Sequence, residues 1–214
     1  MVMLEQLDGY YQGYNNRWQE ARIEFILSKY DESFFSGKRI LELAPFNGRI
    51  GGHFSSLGAE VEFIEGRESH VEYLKLKYPR LRSTHATLDT PDWQWGQWDI
   101  IINFGLFYHL EHNHKQHLKN CIDNCNLMFF ESVIFDSDEP SLYFRKEQGD
   151  DQSLTDRAGT PSTSYVENIF KEKNVKYTKY SDSSLNGEIH RYDWPDSNTR
   201  QYADYTRRFW IVEN

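Results

Sequence analysis

Between residues 38 and 135 the chain alternates apolar strand patterns with amphipathic helical ones, and this restricts the fold more than any other feature. Strands are predicted at 38–43, 60–65, 81–86, 98–104 and 127–135, the fourth built on the consecutive Ile100, Ile101 and Ile102. Helical patterns lie between them near 49–57, 67–77 and 111–123, with a short polar stretch at 87–97. Strands joined through helices are parallel neighbours, because a parallel pair needs a crossover rather than a tight turn. Two more strands are predicted at 175–180 and 207–213. A helix at 160–173 precedes them, capped by Thr160 or Ser162 and lined on one face by Val166, Ile169 and Phe170. At the other end, residues 4–30 carry apolar side chains mostly at helical spacing, most regularly from Trp18 to Tyr30.

The chain of 214 residues is long enough for one domain with a sizeable core, and its 16% aromatic content makes that core lean on Tyr, Phe and Trp. A formal charge of −9 argues against nucleic acid as a partner, since non-specific duplex binding needs a large basic surface. No apolar run approaches the length of a membrane span, so no membrane partner is expected. Cys121 and Cys125 are the only cysteines, and "MVMLEQLDGYYQGY" has neither the basic start nor the apolar segment of a secretion signal. The expected location is cytoplasmic.

The first strand runs into "ILELAPFNGRI", a small-residue turn that opens a helix. Such a turn exposes backbone N–H groups and the positive end of the helix dipole, which suits polar or anionic ligand groups. Gly48 lets a backbone approach a ligand and Ala44 keeps the strand exit small; Phe46 points either against an adenine or into solvent. By itself the turn serves equally as a plain strand-to-helix connection. The second strand, "AEVEFIEGR", ends in Glu65-Gly66, with Glu65 23 residues after Glu42. A carboxylate there is placed to accept both hydroxyls of a ribose. The third element, "WDIIINFGLFYHLEH", is a fully apolar strand followed by Asn103, Gly105 and Tyr108-His109-Leu110.

Taken in order, "ILELAPFNGRI…LGAEVEFIEG…WDIIINFGLFYHLEH" resembles the core of the class I S-adenosylmethionine-dependent methyltransferases over residues 38 to 135. In that family the first strand typically ends in acidic-x-Gly-x-Gly-x-Gly and the fourth reads like "FDIIICWGLLYHL"; here Ala44 and Phe46 replace two of the glycines. The tail "YDWP…RRFWIVE" is similar to the closing strands of some members. The resemblance implies an α/β fold: a Rossmann-like, seven-stranded, mostly parallel sheet with helices on both faces and the last strand antiparallel. It implies S-adenosyl-L-methionine as cofactor. Glu42 would sit behind the loop and orient the methionine amino group, directly or through water, and the Ala44 carbonyl and Gly48 backbone would line the methionine end, with Phe46 in the same loop. Glu65, with Gly66 beside it, would hold the ribose. Leu88 would flank the adenine, Asp89 would reach its amino group, and Asn103 would lie beside the sulfonium carbon. The chain then divides into an N-terminal helical cap (1–35), a cofactor-binding half (36–135) and acceptor-side loops with closing strands (136–214).

Ligands of open α/β sheets bind outside the carboxyl ends of the strands. Two long connections, after the fifth and sixth strands, fall on that rim with aromatics among their polar residues, which suits closing walls. Tyr10, Tyr11, Tyr14 and Trp18 would form a third wall. Methyl transfer needs alignment and exclusion of water, and a base only where the acceptor must lose a proton. The candidates are His109, which directly follows the fourth strand, then Glu131 on the rim, then His190 and Asp193 in the late loop. Each of these side chains alone more often serves a structural hydrogen bond. His114, His117 and Cys121 share a helix face, but no second ligand pair accompanies them, so no metal is expected. "DWQWGQW" reads as packing around a turn.

The expected function is methyl transfer to an oxygen or nitrogen of a small-molecule or sugar-like acceptor. Two alternatives stay open: transfer of a methyl or carboxymethyl group to tRNA, whose modifying enzymes of this fold also show Tyr-His after the fourth strand, and a non-catalytic cofactor-binding module. A nicotinamide-dependent oxidoreductase is disfavoured, because Phe46 blocks the pyrophosphate approach that a glycine allows.

Overall fold

The protein is described by a computed structural model over residues 17–91, 94–135, 137–149, 152–187, 190–194 and 206–214. Nine strands and five α-helices are assigned among these residues. The helices are α1 (Arg17–Leu27), α2 (Arg49–Ser56), α3 (Glu68–Lys77), α4 (His114–Asp123) and α5 (Thr163–Glu172). The main sheet contains β1 (Arg39–Leu43), β2 (Glu60–Glu65), β3 (Arg82–His85), β4 (Trp98–Phe104), β5 (Cys125–Val133), β8 (Lys176–Tyr180) and β9 (Arg207–Glu213). A separate hairpin pairs β6 (Leu142–Lys146) with β7 (Arg157–Pro161).

The sheet order is β3-β2-β1-β4-β5-β9-β8. β1 to β5 pair in parallel, and β9 enters antiparallel between β5 and β8. This is the expected seven-stranded, mostly parallel α/β sheet with its last strand antiparallel. The chain moves outward from β1 through β2 to β3, then returns to place β4 on the other side of β1. That reversal opens a crevice at the carboxyl ends of β1 and β4.

Strand alternation divides the core between the two faces of the sheet. Ile40, Ile100, Ile102, Phe129, Phe209 and Ile211 face α1, α2 and Leu74 of α3. Leu41, Leu43, Ile101, Met128, Phe130 and Trp210 face α4 and α5. β4 is central and covered on both sides, so its isoleucine triplet is buried whole; each fully buried Ile contributes roughly 1.5–3 kcal/mol. Ser162 rather than Thr160 caps α5, its hydroxyl accepting from the Tyr165 N–H at 3.0 Å. Trp95 and Trp98 of the tryptophan-rich turn both pack into the core beside α4.

Two differences from the sequence reading matter for the site. The long connection after β5 is not an open loop but contains the β6–β7 hairpin, whose tip residues 147–148 and 152–155 reach back over the sheet's carboxyl edge. The N-terminal helix ends at Leu27, and its expected residues 4–16, with Tyr10, Tyr11 and Tyr14, lie outside the described residues. Among the described residues, no helix is long and apolar enough to cross a membrane.

Candidate active site

A cleft of about 580 Å³ occupies the carboxyl edge of the sheet, with walls from the β1–α2 turn, the ends of β2 and β4, the hairpin tip, and α1. The turn after β1 keeps its shape with a single glycine, Gly48. Ala44, Phe46 and Gly48 all have left-handed backbones, with φ of 48°, 56° and 68°. The chain thus keeps the alternating conformation that glycine adopts freely, and it holds two L-residues in it at a cost. Surrounding contacts fix the conformation. Asn47 is buried, and its Oδ1 accepts from Gln19 Nε2 of α1 at 2.8 Å and from the Arg49 N–H at 3.1 Å. Gly48 tolerates no side chain, since a Cβ would meet Leu74 Cδ2 of α3 at 2.5 Å.

Ala44 and Phe46 line the cleft, as do Glu65, Gly66 and Leu88. The Glu65 carboxylate accepts from the N–H groups of Arg67 at 3.0 Å and Phe46 at 3.4 Å, and His70 Nδ1 stands 3.7 Å away. Phe46 meets the His70 ring edge-to-face at 5.4 Å. Leu154 from the hairpin tip lies against Gly66, with nearly half its surface exposed.

Four of the sequence candidates are engaged by other parts of the protein. Glu42 lies behind the turn, as expected, and does not line the cleft; its Oε2 accepts from the Gly51 N–H at 2.8 Å and braces the first turn of α2. Burial, aided by the negative charge of Glu65, pushes its carboxyl up to about 8 despite that hydrogen bond. Gly48 faces α3. Asn103 points to the opposite face, its Nδ2 donating to His117 Nε2 at 2.9 Å. Asp89 stands at the cleft edge, but both its oxygens accept backbone N–H groups of Glu111, His112 and Asn113 at 2.8–3.1 Å. Burial would raise the Asp89 carboxyl, but these bonds outweigh it and hold it low.

The histidine cluster of α4 is structural in the same way. His117 Nδ1 donates to the Leu88 carbonyl at 3.2 Å and His114 Nε2 to the Gly159 carbonyl at 2.9 Å. Burial lowers His117 to about 4, so the ring is neutral near pH 7, and burial raises the Cys121 thiol. No group of three or more His, Cys, Asp or Glu residues suited to hold a metal ion occurs among the described residues.

The far end of the cleft is basic. Arg22 of α1, Arg207 at the start of β9, His190 and Tyr108 line it. Beneath them Glu131 is fully buried, not on the rim, and each of its oxygens is held by one guanidinium, Arg22 Nη2 and Arg207 Nη1, both at 2.7 Å. Burial would raise the Glu131 carboxyl, but the charges of Arg207 and Arg22 hold it below its ordinary range. Tyr108 Oη accepts from Arg207 Nη2 at 3.1 Å. Burial and both arginines push His190 well below the usual histidine range. Asp193 is exposed and pairs with Arg191 outside the cleft.

Between the two ends stands His109, its Nδ1 hydrogen-bonded to Glu147 at the hairpin tip. Glu147 also accepts from Arg145 Nη2 at 2.9 Å and the Ser153 N–H at 3.1 Å. Burial would raise its carboxyl, but the bond and charge of His109, followed by those of Arg145, keep it low. A carboxylate on Nδ1 fixes the imidazole and leaves Nε2 without a partner among the described residues, on a residue that lines the cleft. Arg22, Arg207 and Glu147 were not singled out from sequence. Their signal was nonetheless present: Glu131 lies inside the apolar "LMFFESVIF", and a carboxylate on a buried strand requires buried cations.

No family model matches the sequence, and no curated protein sequence matches it. Solved structures do. A S-adenosylmethionine-dependent methyltransferase from Clostridium acetobutylicum superposes with a TM-score of 0.64 at 10% identity, over 97% of this chain and 98% of that one. The N-terminal domain of EvdMO1, crystallised in the presence of S-adenosylhomocysteine and D-fucose, gives 0.66 at 13% identity over 94% and 84%. The Burkholderia thailandensis 1,6-didemethyltoxoflavin-N1-methyltransferase, with its substrate and S-adenosylhomocysteine bound, gives 0.59 at 12% over 98% and 85%. The fold is that of the S-adenosylmethionine-dependent methyltransferases.

Proposed function

We propose that the protein binds S-adenosyl-L-methionine in this cleft and transfers its methyl group to an oxygen or nitrogen of a small-molecule or sugar-like acceptor. The observation that carries the reading is the turn after β1: three successive alternate residues hold left-handed backbones although two of them are not glycine. A mere connection has no reason to maintain that strain, whereas a turn shaped to a ligand does. The Glu65 carboxylate supports it further, since each oxygen accepts only one N–H in the cleft and retains a lone pair for a ribose hydroxyl. Gly66, Leu88 and Leu154 would enclose the adenine, and the Ala44 end of the turn would border the methionine.

The cofactor supplies a methyl group already activated by positive sulfur. The chain's own residues then have three tasks: to hold the acceptor in line, to exclude water, and to take a proton where the acceptor must lose one. His109 Nε2 takes that proton, and Glu147 steadies the imidazolium that results. Glu131 is a positioning residue that sets Arg22 and Arg207 from below. His190 lies on the acceptor side between the two arginines.

Calorimetric titration with S-adenosylhomocysteine and, separately, NAD tests the cofactor class; heat with the first alone is expected, and its absence ends the reading. Glu65→Ala should weaken S-adenosylhomocysteine by about 1–3 kcal/mol through loss of a buried acceptor. A labelled-methyl screen against small metabolites, tRNA and protein extract should label the small-molecule fraction. Label confined to tRNA would favour the nucleic-acid alternative, and no label beside firm cofactor binding would favour a binding module.

A further inference from the structure

The basic end of the cleft has more hydrogen-bond donors than acceptors. Arg22 and Arg207 are only 1% and 4% exposed, yet both line the cleft, and the Nε of each is buried without a hydrogen-bond partner among the described residues. His190 faces Arg22 Nη1 and Nη2 through Nδ1, at 3.4 and 3.5 Å, and Arg207 Nη2 through Nε2 at 3.3 Å. A neutral imidazole has one acceptor nitrogen and one N–H, so one of these two sides sets an N–H against a guanidinium N–H. Among the described residues, the acceptors present are the two Glu131 oxygens, the Trp18 carbonyl and Tyr108 Oη. Among the same residues, two cations and one carboxylate leave a buried excess of one positive charge. Such an excess is costly unless an anion completes it.

We infer that this end is a carboxylate subsite, and that the acceptor carries a single carboxylate held by Arg22, Arg207 and His190. One negative charge balances the cluster, which favours a carboxylate over a phosphate dianion. The carboxylate belongs to the acceptor rather than to the cofactor's methionine because of where the cluster stands. Arg207 opens β9 and its guanidinium is anchored on Glu131 of β5, three strand intervals from β2 and its Glu65, or about 14 Å at the usual strand spacing. A cofactor whose ribose is at Glu65 would run its methionine toward the Ala44 end of the turn after β1, whereas Glu131 and Arg207 stand on β5 and β9. The Trp18, Phe104 and Tyr108 rings line the same end and offer apolar walls to the body of such an acceptor. Tyr108 links the subsite to the base: its Oη meets Arg207, and its ring lies 4.0 Å from that of His109. An acceptor anchored by its carboxylate would therefore present a nearby hydroxyl or amine to His109. This inference rests on the proposed transfer, while the carboxylate site itself is tested without it.

The test uses benzoate and its neutral counterpart benzamide as probes, at fixed ionic strength, with and without S-adenosylhomocysteine. Benzoate should raise the Tm of the wild-type protein and benzamide should not. Arg22→Gln removes the excess charge but leaves Glu131 paired with Arg207, so it should fold and lose benzoate affinity by about tenfold or more. Arg22→Lys keeps the charge and should retain most of it. Equal effects of benzoate and benzamide on the wild-type protein, or an unchanged benzoate response in Arg22→Gln, would overturn the subsite. If Arg22→Gln does not fold, the wild-type comparison and Arg22→Lys still decide. A parallel titration with S-adenosylhomocysteine and with 5′-methylthioadenosine, which lacks the amino-acid part, assigns the carboxylate. If Arg22→Gln weakens the first and spares the second, the carboxylate is the cofactor's and the acceptor assignment falls. Absent heat with S-adenosylhomocysteine beside a clear benzoate response would defeat the transfer reading and leave the anion site standing.

Discussion

Ala44 holds a left-handed backbone with φ of 48°, and half-burial gives its methyl group little packing to lose. Replacing it with glycine isolates the backbone term. An L-residue in that region costs roughly 1–2 kcal/mol, and a glycine gives back roughly 0.5–1 kcal/mol through the freedom of the unfolded chain. Ala44→Gly should therefore stabilise the protein by about 0.5–1 kcal/mol, worth roughly 1–4 °C in Tm for a chain of this size. Gly37 provides the reciprocal control: its φ is +72° and a Cβ there would meet nothing within 4 Å. Gly37→Ala should lose about as much as Ala44→Gly gains. Urea unfolding followed by tryptophan fluorescence measures both. If Gly37→Ala destabilises while Ala44→Gly is neutral or destabilising, the strain in the turn is not real. The main support for a ligand-shaped turn would then go with it.

Further outcomes follow from the buried charges. Glu42 has a folded-state value of about 8 against 4.5, so the folded protein binds the extra proton and stability falls as pH rises between those values. The slope approaches about 1.4 kcal/mol per pH unit; Glu42→Gln should remove it, read from urea midpoints at pH 5.5 and 7.5. Glu131→Ala leaves two buried guanidinium groups without their carboxylate and should cost about 3–5 kcal/mol, seen as a large drop in Tm. Glu147→Gln should leave S-adenosylhomocysteine affinity within a few-fold and lower single-turnover methyl transfer by about tenfold to a hundredfold, part of a general base's usual effect. Equal losses in both would move His109 to the cofactor side.

All seven strands of the main sheet begin and end within two residues of their predicted bounds; β1, β2, β4, β5 and β9 are apolar or alternating runs with definite ends, whereas β3 (RSTH) and β8 (KYTKY) are polar edge strands. The β6–β7 hairpin was not legible in the sequence. Tyr143 and Phe144 on it are exposed, and "RAGTP" has little strand character. Gly159 instead lets the His114 ring approach the β7 backbone, where a Cβ would stand 2.7 Å from Cε1. That contact has no periodic trace in the sequence. Asn103 shows the same limit on the site itself. It shares strand parity with Ile101 and so faces α4, while Phe104 reaches the cleft. On a strand apolar on both faces, alternation does not tell which residue turns toward a ligand. Glu65 was easier, being the last residue of a half-polar strand, where the exit itself is the site.

The two ends of the cleft are joined by α1, which the sequence suggested only as a wall. Gln19 and Arg22 lie three residues apart on its sheet-facing side, one turn of helix from each other. The first holds Asn47 in the β1–α2 turn and the second holds Glu131 beneath the basic end. Glu20 adds an exposed pairing with Arg49 at the start of α2. A helix so attached cannot shift by even part of a turn without disturbing both the left-handed backbone of the turn and the placement of Arg22. The turn's strain therefore need not be held by the turn alone. Buried polar bonds from α1, made where water does not compete, keep it in place. On this account the loss of two glycines and the presence of a buried arginine are parts of one arrangement: α1 supplies the order that glycine-rich backbone would not need, and in the same step it brings positive charge to the acceptor end.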